Sequence, residues 1–256
     1  MKSKNTFRRA RSQSWDPVAR WYAGWAGPEG SHYHRTLAVP LLLELLALNT
    51  GDRLADLGCG HGILAPPVAG LGARYVGVDL SSRLIAEARR NHARHGRFLV
   101  GDATQLPGHR LLADGGFDAV SFLLSIQDIN PLEAAVAEAA RLLRPGGRLG
   151  MVMLHPCFRI PRQSGWGWDE GRGLKFRRLD SYLSPLAVPM QEHGQGTTRS
   201  YHRPLGDYVA ALNAAGLAVT GIREVADWPG ERDSRADRRA AREFPLFLGL
   251  RAEKLV

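Results

Sequence analysis

The run Asp56-Leu-Gly-Cys-Gly-His-Gly62 constrains this chain more than any other feature. It follows a short apolar stretch, Arg53 to Leu57, that suits a strand, and it opens a helix-like stretch, Ile63 to Leu71. Glycine has no Cβ, so a turn built from it lets backbone amides at a helix N-terminus approach a ligand closely. Taken alone, such a run is also compatible with a plain tight turn. Two further strand ends narrow the choice. Arg74 to Val78 ends at Asp79, 21 residues after Gly58, where a carboxylate can hold both hydroxyls of a ribose. Arg97 to Val100 is followed by Asp102, a second carboxylate on the same edge. The C-terminal ends of parallel strands form the ligand crevice of open α/β sheets, so three strand ends are expected to converge on one site.

The alternation continues with a helix from Ser82 to His95, a strand from Asp118 to Leu124, a helix from Leu132 to Leu143 and a strand from Gly147 to Leu154. Such a pattern predicts an α/β fold, a parallel sheet with helices on both faces. From His155 to Arg203 it breaks into Gly, Pro, Trp and charged residues, a stretch too long for an ordinary connection and expected to form a lid or substrate wall. Trp166, Trp168, Phe176, Tyr182 and Tyr201 are the rings it offers to a flat or greasy substrate, or to packing on the domain. A helix from Pro204 to Ala215 and strands from Ala218 to Val225 and Phe244 to Ala252 close the chain. Near the start, Asp16-Pro17 reads as a helix entry and Leu37 to Leu48 as a second helix. Residues 15–256 are therefore expected to form a single domain in which 15–48 act as an N-terminal cap. A chain of 256 residues, 44% of them hydrophobic, has enough apolar material for one such core.

A formal charge of +9 raises the question of a nucleic-acid partner. The excess is concentrated in Lys2 to Arg11, read as a flexible basic arm over residues 1–14, and in Arg232 to Arg242. There Arg235, Arg238, Arg239 and Arg242 fall at helical spacing, as on a solvated helix face. A nucleic-acid partner is accordingly not expected. The longest apolar run, Leu37 to Leu48, is too short to span a bilayer and contains Glu44, so no membrane span is predicted. The basic start lacks an apolar secretory core, and two cysteines cannot by themselves make a disulfide framework or a metal site, which points to a cytoplasmic protein.

Taken together, Asp56-Leu-Gly-Cys-Gly-x-Gly62, Gly77-Val-Asp79-Leu-Ser, Gly101-Asp102-Ala, Phe117-Asp118-Ala-Val and Leu142-Leu-Arg-Pro-Gly-Gly147 resemble the class I S-adenosylmethionine-dependent methyltransferases, in particular the small-molecule enzymes similar to those of ubiquinone biosynthesis. The resemblance implies a Rossmann-like sheet of seven strands, mostly parallel with the last antiparallel. It also implies S-adenosylmethionine as cofactor and a small-molecule substrate. By position, Gly58 and Gly60 would border the methionine part, and Asp56 and Cys59 of the same turn would be among the cofactor-binding residues. Asp79 would hold the ribose hydroxyls, Leu80 would pack on the adenine face, and Asp102 with Ala103 would meet the adenine edge. Leu124 and Ser125 would approach the methionine amine or sulfonium. Tyr22, with Tyr33 second, would be the cap aromatic that closes over the cofactor.

Candidate bases are His155 and Asp128, with Gln127 beside the latter. His155, followed by Pro156, equally suits a buried histidine bonded to backbone. His202 and Arg203 suit either an acidic substrate group or ordinary helix-entry contacts, and His61 is expected to face cofactor or solvent. A dinucleotide dehydrogenase would carry Gly-x-Gly-x-x-Gly where this chain has Gly58-x-Gly60-x-Gly62, and it has no need of Gly101-Asp102-Ala. The alternatives that stay open are an RNA or other nucleic-acid methyltransferase and a non-catalytic S-adenosylmethionine-binding protein. Against the first, Ser125-Ile-Gln-Asp128 stands where an Asn/Asp-Pro-Pro-aromatic signature would serve base methylation.

Overall fold

The computed structural model describes residues 15–106, 108–191, 197–227 and 234–255. The basic arm expected over 1–14, and Arg232, lie outside them. Seven strands form one sheet: β1 (Arg53–Leu57), β2 (Arg74–Asp79), β3 (Arg97–Val100), β4 (Phe117–Leu123), β5 (Leu143–Leu154), β10 (Leu217–Ala226) and β11 (Pro245–Lys254). Their order is β3-β2-β1-β4-β5-β11-β10. The β2–β3, β1–β2, β1–β4 and β4–β5 pairs are parallel. β11 runs antiparallel to both its neighbours, β5 and β10. The last strand of the chain is thus the antiparallel one, as the resemblance implies, and it lies inside the sheet between β5 and β10.

The strands are apolar on both faces because helices cover both, the pairing that parallel sheets require. On one face α2 (Val39–Leu46), α3 (Ala65–Gly70) and α4 (Ser82–His92) pack Leu42, Leu46, Val68, Ile85 and Ala88 against Leu54, Phe98 and Val152. On the other, α5 (Leu132–Leu142) and α6 (Leu205–Ala214) pack Val136, Ala139, Tyr208 and Leu212 against Leu57, Val78, Phe122 and Met151. Among the described residues no helix is long and apolar enough to cross a membrane.

Proline moves two helix starts away from the expected bounds. α3 begins only at Ala65, with proline in its first turn, where its missing N–H costs nothing. The expected helix from Leu37 to Leu48 is instead a π-helical turn, His34–Ala38, running into α2 and ended by a left-handed Ala47. Pro40 cannot donate to a carbonyl four residues back, and the turn before it is the wide one. Preceding these, α1 (Ala19–Ala26) lies over the glycine turn. Its entry is pinned by Asp16, which accepts from the Ser81 hydroxyl (2.5 Å) and from the Arg83 amide (3.2 Å) at the start of α4, where a carboxylate is favoured.

The stretch from His155 to Arg203 is two hairpins, β6 (Ser164–Asp169) with β7 (Leu174–Leu179) and β8 (Leu186–Gln191) with β9 (Thr197–His202). The arginines expected on a helix form α7 (Arg235–Glu243), which opens on a capping box between Ser234 and Asp237 and buries Ala240.

Candidate functional site

The tips of β1, β2, β3 and β4 meet at one cavity of about 650 Å³, within the range of small-molecule sites. Its geometry starts at the glycine turn. Gly58 and Cys59 both donate to the Val78 carbonyl (2.8 and 3.0 Å), which folds the turn across β2. Gly58 has φ +74°, and a Cβ there would sit 2.6 Å from that of Ser125, so only glycine lets the β1 turn pass under the β4 turn. Asp79 then clamps the arrangement: one carboxylate oxygen accepts from the Gly60 amide and the other from the Ser81 amide, both at 2.8 Å. Burial, partly offset by these two bonds, pushes its pKa up to about 6.

Asp56 lies at the floor, its two oxygens taken by the Tyr75 hydroxyl (2.7 Å) and the Ser121 hydroxyl (2.8 Å), and burial pushes it up to about 6. At the β3 tip Asp102 accepts from the Thr104 amide and hydroxyl (2.8 and 2.7 Å), which turns the chain so that Ala103 joins the wall. After β4, Leu124 takes a positive φ of 53° and Ser125 donates to the Leu57 carbonyl (2.8 Å). A 3-10 turn, Ile126–Asp128, follows. Its Gln127 donates from Nε2 to the Leu124 carbonyl (2.7 Å), while Gln127 Oε1 is one of two buried side-chain polar atoms without a partner among the described residues. Asp128 also faces the cavity. Burial pushes its pKa up to about 7, against the opposing effects of the Ser200 hydroxyl bonded to it and the Arg203 charge.

The cap closes the outer side. Tyr22 reaches the wall edge-on to His61 (5.4 Å between rings) and to Trp15 (5.2 Å). Burial and the nearby Asp79 and Asp128 carboxylates keep its phenol protonated. His61 Nε2 donates to the Gly27 carbonyl (2.9 Å) and His92 Nε2 to that of Pro28 (3.2 Å), tying the cap to the glycine turn and to α4.

Tyr22, Tyr33, Asp56, Gly58, Cys59, Gly60, Asp79, Leu80, Asp102, Ala103, Leu124, Ser125 and Asp128 therefore all line this one cavity, with Gln127 and His61. His155 is not among its described lining residues. It is buried, accepts from the Cys157 amide at Nδ1 (3.2 Å) and donates from Nε2 to Glu224 (2.8 Å), so both ring nitrogens hold the turn after β5 in place. His202 and Arg203 are likewise engaged in packing. His202 donates to the Tyr182 carbonyl (2.6 Å), and Arg203 bonds the Ile129 carbonyl (2.7 Å) and Asn130 Oδ1 (3.1 Å).

None of the five rings singled out in the 155–203 stretch is on the cavity wall. That stretch contributes Met190, Thr198 and Ser200 from the second hairpin, and Arg159. Trp166 instead packs on Phe244 and among cations, and Tyr182 takes the Leu205 amide. The wall also includes Trp25, Leu154, Asp227, Leu246 and Phe247. Nothing local in the sequence marks these residues: Trp25 comes in on the cap helix α1, and strand pairing across the sheet, with β11 beside β5, is what brings the others to the mouth.

A sheet of this order with an acceptor-rich cavity across its central strand tips defines the class of α/β proteins that hold a nucleotide-like ligand there. Residues 55–151 match the family model described as a methyltransferase domain. The chain is 31% identical over 189 residues to a demethylmenaquinone methyltransferase from Beutenbergia cavernae, which spans 72% of each. It is 32% identical over 190 residues to a malonyl-[acyl-carrier protein] O-methyltransferase from Enterobacter lignolyticus, spanning 72% of this chain and 71% of that one. A solved S-adenosylmethionine-dependent methyltransferase from Mesorhizobium loti matches with a TM-score of 0.69 at 25% identity, covering 84% of this chain and 96% of its own. The chain belongs to the class I S-adenosylmethionine-dependent methyltransferases, and S-adenosylmethionine is its methyl donor.

Proposed function

We propose that this methyltransferase acts on a small, largely apolar acceptor in the cytoplasm, and that Asp128 receives the proton the acceptor gives up. The observation that carries the reading is the continuation of the cavity past the donor side, beneath the second hairpin. There Tyr33, Leu154, Met190, Leu246 and Phe247 supply apolar wall and Ser200 meets Asp128. The relative named for demethylmenaquinone supports an acceptor of this kind.

The donor side suits S-adenosylmethionine. Its described lining carries Asp56, Asp79 and Asp102 together with the unpartnered Gln127 Oε1, an excess of acceptors that a cation rich in hydroxyl and amino donors satisfies. A Cβ on Gly60 would have only Tyr22 Cε1 near it, at 3.9 Å, so the backbone there is open to a ligand. In this reading Asp79 holds the ribose hydroxyls, Leu80, Asp102 and Ala103 the adenine, and Gly58, Cys59, Gly60, Leu124 and Ser125 the methionine part. Tyr22 covers it, with Tyr33 at the border with the acceptor side, where its ring meets Phe247 edge-on (6.5 Å).

Bound S-adenosylmethionine supplies a methyl group already activated by its sulfonium, so the chain's own task is placement. Good orientation of two reactants is worth roughly 7–11 kcal/mol, against about 10²- to 10⁴-fold for a general base. The walls exclude water and replace it with fixed dipoles. Asp128, with its pKa near 7 through burial, is a carboxylate able to take a proton at neutral pH, held in line by Ser200.

Two outcomes check this. Labelled methyl groups incubated with the enzyme and a cell extract are expected in the small-molecule fraction, for identification by mass; label confined to RNA or protein would overturn the acceptor class. For the base, the sign follows from the raised pKa: below pH 7 Asp128 is protonated and idle, so turnover rises through about pH 7 and levels above it. Asp128→Asn is expected to remove that limb and lower turnover about 10²- to 10⁴-fold with little change in donor affinity. Turnover equal to the parent's would dismiss Asp128.

A further inference from the structure

We infer that the acceptor carries a carboxylate-type anionic group, and that Arg159 receives it at the end of the cavity remote from the donor. This rests on the small-molecule reading above and adds the substrate's charge to it.

Arg159 is the one Lys or Arg among the described residues that line the cavity, whereas Asp56, Asp79, Asp102, Asp128 and Asp227 all do. The sheet order sets Arg159 apart from the donor-side acids, with Asp227, just past the end of β10, as the acid on its own side. Asp79 and Asp102 sit at the tips of β2 and β3, and Arg159 sits in the turn after β5, beside the start of β11 and across β1 and β4 from them. A cationic donor occupies the acidic side. The guanidinium on the other side answers to a different ligand.

Its surroundings are built to hold it still. The Arg159 amide bonds the His155 carbonyl (2.8 Å), in the turn that His155 itself braces through Glu224 and Cys157. Its Nε donates to the Pro245 carbonyl (3.2 Å) and its Nη2 to that of Phe244 (3.5 Å), and its Cζ lies 5.5 Å from the Trp166 ring centroid. Carbonyls and a ring fix direction without cancelling charge. Burial lowers the pKa of Arg159, against the opposing effects of Asp227 and Tyr33. Arg177 lies 5.0 Å from the same ring and adds positive potential around it, whereas Lys175, at 5.1 Å, is paired with Asp237 (2.6 Å). A half-buried arginine on a cavity wall binds carboxylates through short, charge-assisted bonds, and Leu154, Leu246 and Phe247 on the same wall suit the apolar body such an anion would carry.

Matched probes test this on the full-length enzyme saturated with S-adenosylhomocysteine. The pairs are 4-hydroxybenzoate with 4-hydroxybenzamide and 2-naphthoate with 2-naphthamide, which differ in charge and hardly in shape. Calorimetric titration is expected to show the anion of a pair bound about 10- to 100-fold more tightly. Arg159→Gln should abolish that preference while the amide's affinity, the S-adenosylhomocysteine affinity and the melting temperature stay near the parent's. Arg159→Lys should restore part of it. Equal binding of anion and amide by the parent enzyme, or a preference that survives Arg159→Gln, overturns the inference and leaves the small-molecule reading standing. Loss of S-adenosylhomocysteine affinity in Arg159→Gln overturns it by assigning Arg159 to the donor side. Failure of every probe to bind, charged or neutral, counts against the small-molecule reading and takes this inference with it.

Discussion

Replacing Asp79 by alanine is expected to cost the enzyme its methyl donor, with affinity for S-adenosylmethionine and S-adenosylhomocysteine falling by about 10²- to 10⁴-fold in calorimetry. Two losses add. The carboxylate that would accept from the ribose hydroxyls is gone, and hydrogen bonds to a charged group are worth about 1.5–3 kcal/mol each. The Gly60 and Ser81 amides, each 2.8 Å from an Asp79 oxygen, also lose their acceptor, so the glycine turn is no longer tied to β2. Asp79→Asn keeps one acceptor oxygen and is expected to fall between the parent and Asp79→Ala. Because burial holds Asp79 near pKa 6, donor binding by the parent should also weaken as pH drops through that value. An Asp79→Ala enzyme that binds donor as the parent does would remove the ribose assignment, and with it the placement of every other donor contact.

Gly62→Ala is expected to act through stability. Gly62 has φ +83°, and a Cβ there would meet Phe98 Cε1 at 2.7 Å and Ala88 Cβ at 3.1 Å, in the seam between the glycine turn, α4 and β3. A left-handed backbone costs an L-residue about 1–2 kcal/mol, and forcing a methyl into a packed core about 1–3 kcal/mol more. The sum, roughly 2–5 kcal/mol, corresponds to a fall in melting temperature of about 4–20 °C for a chain of this size. Gly62 is outside the described cavity lining, so at temperatures where the variant stays folded, donor affinity should be close to the parent's. Gly60→Ala is the contrast: with φ +55° it bears the same backbone cost of about 1–2 kcal/mol, but its Cβ finds 3.9 Å of clearance from Tyr22 on the cavity wall, so stability should fall less than in Gly62→Ala and donor affinity should fall more. A Gly62→Ala enzyme that melts with the parent would show that the Phe98 seam relaxes freely.

The two substitutions mark where the sequence was readable and where it was not. Asp79 and Gly62 belong to short motifs that are recognisable from residues close by in the chain, a strand tip, a glycine, an acid, although the groups they touch, the Gly60 amide and the Phe98 ring, lie much farther away along it. Such patterns are local, so the succession of strand, glycine turn and helix was enough to expect the parallel sheet and its two covered faces, and the family resemblance of the motifs added the residues that ring the cavity. His155 looked equivalent, since it too follows a strand, yet the turn after β5 directs its ring to Glu224 and Cys157. The hairpins were missed for the opposite reason. Strands such as Thr197–His202 and Ser164–Asp169 pack only partly on the body and carry no long apolar run to announce them.

From its residues alone, then, the chain determined the fold class and the strand tips that meet at the cavity, because hydrophobic periodicity and glycine placement act over a few residues, and the resemblance of its motifs to a methyltransferase family implied the donor. Only the tertiary structure decided the far wall. Arg159, Ser200, Asp227 and Phe247 come from separate elements, brought together by β11 inserting between β5 and β10 and by a hairpin folding back over β4. Contacts of that kind depend on pairings between distant segments, and no spacing within the chain encodes them.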